Sequence, residues 1–123
     1  MVWSVEAYVD ARGSTPVRDF YLKHGRPKRV AKSGNSVNQD WARLEWIIKE
    51  IIEPQEGGLR PHGASFHTVE EFWQIRTDQI RVLCLIDKSR KNVLVMLHPF
   101  KKKQQKTPPE DILIARNIAK EFG

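Results

Sequence analysis

The chain has 123 residues, with 21 lysines and arginines against 15 aspartates and glutamates, a formal charge of +6 and a pI near 9.7. That length allows one domain, residues 1–123, burying roughly two-thirds of its unfolded surface in a single core, with no room for a second. The charge points to nucleic acid or another polyanion as partner. The lone Cys84 excludes an internal disulfide and suits a reducing compartment. With no signal-peptide pattern and no apolar run near the ~18 residues of a membrane span, the cytoplasm is the expected location.

Residues Val2 to Val9 alternate loosely, with Trp3, Val5 and Ala7 on one side, as a half-buried first strand would. Thr15 before Pro16 reads as an N-cap, and Val17, Phe20 and Tyr21 give a short helical stripe ending at Gly25. The next ten residues, Arg26 to Asn35, hold Arg26, Lys28, Arg29 and Lys32 without an apolar period, and a mobile basic loop is expected. Ser36 and Gln39 form a capping-box pattern ahead of Val37, Trp41, Leu44, Ile48 and Ile51, a second helix that Pro54 stops near Glu53. Trp41, Trp46 and Trp73 read as core residues.

Three strand-like runs follow: Phe72 to Arg76, Ile80 to Asp87 and Asn92 to His98, separated by short polar turns that favour an antiparallel meander. Thr107 and Glu110 bracket Pro108-Pro109 in another capping box. Ile112, Ala115, Ile118, Ala119 and Phe122 then repeat at helical spacing. The order is β-α-α-β-β-β-α: an α+β fold with an antiparallel sheet and helices packed on one face.

If Asp78-Gln79 is a two-residue hairpin loop, Arg76 stands directly opposite Arg81, with Cβ atoms about 5 Å apart. The other face then carries Trp73, Ile75, Ile80, Val82, Cys84 and Ile86, a surface suited to a helix, while Gln74 joins the arginine face. Two like charges in register destabilise the pair unless an anion or a carboxylate lies between them. An external anion is one solution; Glu70, Glu71 or Asp87 is the other.

The third run leads into His98-Pro99-Phe100-Lys101-Lys102-Lys103-Gln104-Gln105-Lys106-Thr107-Pro108, a cationic loop framed by a strand and a helix and suited to phosphate. At its start His98 is a candidate general base, since nearby cations favour a neutral, proton-accepting imidazole. A hydrogen-bonded structural role is the alternative. His62 and His67 lie in the approach from Leu59 to Thr68, which can fold back over the same face. The four histidines have no metal-ligand spacing on one element, so neither metal nor cofactor is expected.

Phe72-Trp73-Gln74-Ile75-Arg76, Ile80-Arg81-Val82-Leu83, Val93 to Lys102 and Gln105-Lys106-Thr107-Pro108 together resemble the phage-derived HigB-like branch of the RelE toxin superfamily. The likeness covers residues 72 to 118, with the K-T-P ending as its most distinctive part. It implies a type II toxin: an endoribonuclease, or mRNA interferase, that cuts mRNA, commonly on the ribosome. Its implied partner is an antitoxin with a helix-turn-helix DNA-binding domain. The resemblance puts catalytic groups at Arg76, Arg81, His98, Lys101 and Lys102, with Lys103 and Lys106 on phosphate. This chain departs from the family pattern at Gln74 (usually glutamate), Ile80 (usually tyrosine) and Pro99 (usually glycine), and its end offers Phe122 where relatives place an acid–base aromatic.

RNA carries its own nucleophile, the 2′-hydroxyl, so cleavage requires alignment, a base and charge stabilisation, without need of a metal. Arg76 and Arg81 would hold phosphate oxygens in a planar fork. Lys101, Lys103, Lys106 and the cations Arg26, Lys28, Arg29 and Lys32 would set salt-dependent affinity. The competing reading is a non-catalytic RNA- or ribosome-binding module using the same basic face, with Phe100 as a base-stacking group. A third is a regulatory partner for an acidic helix.

Overall fold

The computed structural model describes residues 2–25 and 36–122; the basic run Arg26, Lys28, Arg29 and Lys32 lies outside them. In chain order the elements are β1 (Ser4–Ala7), α1 (Pro16–Phe20), α2 (Ser36–Ile47), β2 (Phe66–Val69), β3 (Phe72–Arg76), β4 (Ile80–Ile86), β5 (Val93–Lys101) and α3 (Pro109–Phe122). Wider π-helical turns, Tyr21–Gly25 and Ile48–Ile52, prolong α1 and α2. The α+β class is as expected, and the described strands form one sheet in the order β1-β5-β4-β3-β2.

Three features depart from the expected meander. First, β2 is an additional strand, antiparallel to β3; its polar His67 and Thr68 hide it from a search for apolar alternation. Second, β1 runs parallel to β5, because the intervening α1 and α2 provide the long crossover that a parallel pair requires. Third, the helices cover both faces rather than one. Val17, Trp41, Leu44 and Ile47 pack with Ile75, Ile80, Val82, Cys84 and Leu94, whereas Ile112 and Ala115 of α3 pack with Phe72, Leu83, Val95 and Leu97 on the reverse. β4 and β5 are buried on both sides and read as near-continuous apolar runs, so alternation could not assign a solvent face. Fully buried Cys84 sits in the first of these cores, where burial pushes its thiol pKa up.

The strand β5 contains a β-bulge. Cys84 pairs with Met96 but Leu83 pairs with His98, so Leu97 is the extra residue. Beyond this point the alternation of β5 is inverted: His98 and Phe100 share the face of Leu83 and Arg81, and Pro99 and Lys101 share that of Val82 and Ile80. Pro99 lies past the Val93–Met96 stretch paired with β1, where a missing backbone donor breaks no second ladder.

Candidate functional site

The loop Asp78-Gln79 has the expected two-residue geometry: Thr77 N–H donates to Ile80 O at 3.0 Å and Arg76 pairs with Arg81. Asp40, from α2, holds this turn from behind. Its Oδ2 accepts from Thr77 Oγ1 at 2.8 Å and from the Gln79 backbone N–H. Two rows of side chains result on the α3 face. One runs His67, Gln74, Leu83, His98 across four strands; the next runs Arg76, Arg81, Phe100.

The paired arginines have different surroundings. Arg81 is only 4% exposed, and its Nη1 donates to Thr77 O and Ile80 O. Burial, with the Arg76 charge beside it, lowers its pKa, while Asp40 and Asp78 act the other way. Arg81 therefore fastens the hairpin and is not half of an exposed fork. Arg76 is half-buried and lines two clefts. The carboxylates expected to compensate it are engaged elsewhere. Glu71 accepts from Arg116 Nε at 2.6 Å, Glu70 lies 3.7 Å from Arg116, and Asp87 accepts from Ser89 and Arg90. Among the described residues no carboxylate lies within ion-pair distance of Arg76.

His98 acquires a partner that spacing along the sequence does not reveal. Its Nε2 lies 2.8 Å from Oδ1 of Asp111, in the first turn of α3, and its ring stacks on Phe100 with centroids 5.3 Å apart. An ionised carboxylate only accepts, so Nε2 is the donor to Asp111, and in the neutral tautomer that this fixes Nδ1 is the acceptor. Asp111 is 2% exposed; its Oδ2 has no hydrogen bond and lies 3.8 Å from Lys103 Nζ. An acidic residue in a first helical turn reads from sequence as a complement to the helix dipole, and that reading conceals the pairing with His98.

Around His67 the polar groups are ordered as well. Thr107 Oγ1 donates to Gln74 Oε1 at 2.8 Å, which turns the Gln74 amide so that its Nε2 faces His67 Nε2 at 3.3 Å. Thr107 thus commits its hydroxyl to the sheet rather than to an N-cap for α3. Burial lowers the His67 pKa, a backbone contact at Ala64 opposes this, and the Arg76 and Arg81 charges lower it further.

Of the other expected site residues, Lys102, Lys103 and Lys106 are exposed, and Lys106 borders a cleft with Arg76. Lys102 N–H donates to Gln79 O at 2.7 Å, tying the lysine segment to the hairpin turn. Lys101 is exposed but in register with Ile80, on the α2 side of the sheet and away from Arg76. Phe100 is 5% exposed and covered by His98, so it offers no face to a base. Trp46, expected in the core, is 48% exposed, with the Arg43 guanidinium 4.9 Å above its ring.

Among the described residues no three His, Cys, Asp or Glu side chains converge as a metal site, and no helix is long and apolar enough to cross a membrane. The family described as Phage derived protein Gp49-like (DUF891) matches this sequence over residues 39–120, a span containing both rows of the site and Asp111. No curated protein matches it.

Proposed function

We propose, from the premise that this chain belongs to the Phage derived protein Gp49-like family, that it is the toxin of a type II toxin–antitoxin pair, of the RelE-like, HigB-like kind. It acts as an endoribonuclease that cuts mRNA on the ribosome, and its cognate antitoxin carries a helix-turn-helix DNA-binding domain. The observation that carries this reading is Arg76: a guanidinium opposed in register by a second arginine and left without a carboxylate among the described residues. Such a group is completed by an external anion, and the phosphate of a chain that brings its own 2′-hydroxyl fits.

In this mechanism Arg76 binds a phosphate oxygen and neutralises charge in the pentavalent transition state, while Arg81 keeps the hairpin rigid beneath it. His98, oriented by Asp111 through Nε2, takes the 2′-hydroxyl proton on Nδ1 as the 2′-oxygen bonds to phosphorus; the P–O5′ bond breaks, leaving a 2′,3′-cyclic phosphate and a 5′-oxygen that takes a proton from water. Lys102, Lys103 and Lys106 draw in the backbone. The test is mRNA cleavage in a translating extract. Wild-type protein cleaves, Arg76→Ala loses cleavage by about 100-fold or more, and His98→Ala falls comparably. Binding to RNA or ribosomes without any cleavage by wild-type protein would instead identify a non-catalytic module.

A further inference from the structure

The Arg76–Lys106 cleft is larger than a phosphate requires. It encloses about 350 Å³ between β2–β3 and the segment after β5, at the lower end of the ~300–1,000 Å³ range of small-molecule sites. Its lining is of three kinds. Arg76 and Lys106 are cationic, His67 and Gln74 supply planar polar groups, and Val69 and Ile112 are aliphatic. A bare anion site needs only the first of these.

We propose that this cleft is a one-nucleotide subsite, with the phosphate between Arg76 and Lys106 and the attached sugar and base against His67, Gln74, Val69 and Ile112. The assignment rests on the reading of the chain as an RNA-cleaving enzyme and adds the place where the substrate is gripped. Gln74 is 3% exposed and its carbonyl is occupied by Thr107. One amide N–H is directed at His67, and the amide has a second donor for an acceptor on a base. His67, receiving that hydrogen bond on Nε2, is held as a neutral ring, so its plane can face a base without adding charge to the wall. Glu70 also borders the cleft, but its carboxylate lies 3.7 Å from Arg116. Glu70 is therefore directed at Arg116 and not at the cations facing the phosphate.

The experiment is titration of the full chain with each ribonucleoside 5′-monophosphate, the matching nucleosides and inorganic phosphate, followed by amide and side-chain NMR shifts. At least one mononucleotide binds about tenfold more tightly than inorganic phosphate or its own nucleoside, moving the Gln74 side-chain amide and Thr107. Arg76→Ala weakens it about 10- to 100-fold, as loss of a charge-assisted hydrogen bond does. Lys106→Ala, an exposed change that spares the fold, weakens it less, and Lys91→Ala, in the distant β4–β5 turn, leaves it unchanged. Inorganic phosphate binding as tightly as every nucleotide overturns the proposal, as does nucleotide binding indifferent to both Arg76→Ala and Lys106→Ala, or no binding. Cleavage is scored separately. A chain that binds nucleotide this way but cuts no mRNA removes the ribonuclease reading and keeps the subsite; one that cuts mRNA but binds no nucleotide here does the reverse.

Discussion

Arg76 and Arg81 occupy one register, but Arg81 spends its guanidinium on the hairpin carbonyls, while Arg76 is the one proposed above to meet the anion. Arg81→Ala leaves the Thr77 carbonyl without its donor in a buried turn, and urea denaturation should register a loss of about 1–3 kcal/mol. Arg76→Ala removes no side-chain hydrogen bond among the described residues and should stay within about 0.5 kcal/mol of wild type while RNA affinity collapses. Their opposition was legible because turn length alone fixes hairpin register. Their unequal burial was not, since it depends on Asp40 from a distant helix and on which carbonyls Arg81 reaches. His67 adds a pH dependence at the same scale. Its folded-state pKa is lowered, so the unfolded chain binds a proton that the folded chain declines. The contribution of the neutral ring is complete above the unfolded value of about 6.5 and is withdrawn as pH falls from there through the lowered folded value. Urea midpoints measured from pH 7.5 to about 5 should decline, and His67→Gln should flatten that slope by up to about one proton.

At the level of elements, α3 was legible as an amphipathic helix from its three-and-four spacing, but which face of the sheet it covers was not. Both β4 and β5 present apolar residues to each side, and only the placement of Ile112 and Ala115 over Leu83, Phe72 and Leu97 decides it. The same placement delivers Asp111 to His98 and Thr107 to Gln74, so the first turn of α3 is fastened through the residues that make up the site. Removing the carboxylate with Asp111→Ala should cost about 1.5–3 kcal/mol, the range for a buried hydrogen bond to a charged group. Hydrogen exchange should localise the opening to the start of α3, leaving the β1–β5 pairing protected. The β4–β5 turn also loses stability in acid. Hydrogen bonds from the Ser89 hydroxyl, then Arg90 and the Ser89 backbone, hold the Asp87 pKa down to about 2. The turn's contribution is therefore present above the unfolded carboxylate range near 4 and is lost as pH falls through about 2.

For the molecule as a whole, the +6 charge indicates the class of partner but not its location. Glu6, Asp10 and Glu121, with Arg90 paired to Glu6, border a groove of about 690 Å³ beside β1, whereas Lys102, Lys103 and Lys106 follow the end of β5. An excess of acid on one side and lysine on the other would orient the proposed RNA before the two surfaces meet. RNA affinity should fall log-linearly with salt, and changing Lys102, Lys103 and Lys106 to glutamine should reduce the slope by about 0.7 for each phosphate no longer neutralised. The strand β5 also sets a limit on what any reading by alternation could achieve, because Leu97 reverses its parity just before the residues of interest. The same residues paired without the bulge would trade an imidazole and a benzyl ring for a pyrrolidine and an ammonium on the α3 side. One extra residue in the strand thereby decides whether an imidazole or an ammonium lies on the floor of the candidate site, with no side chain substituted at all.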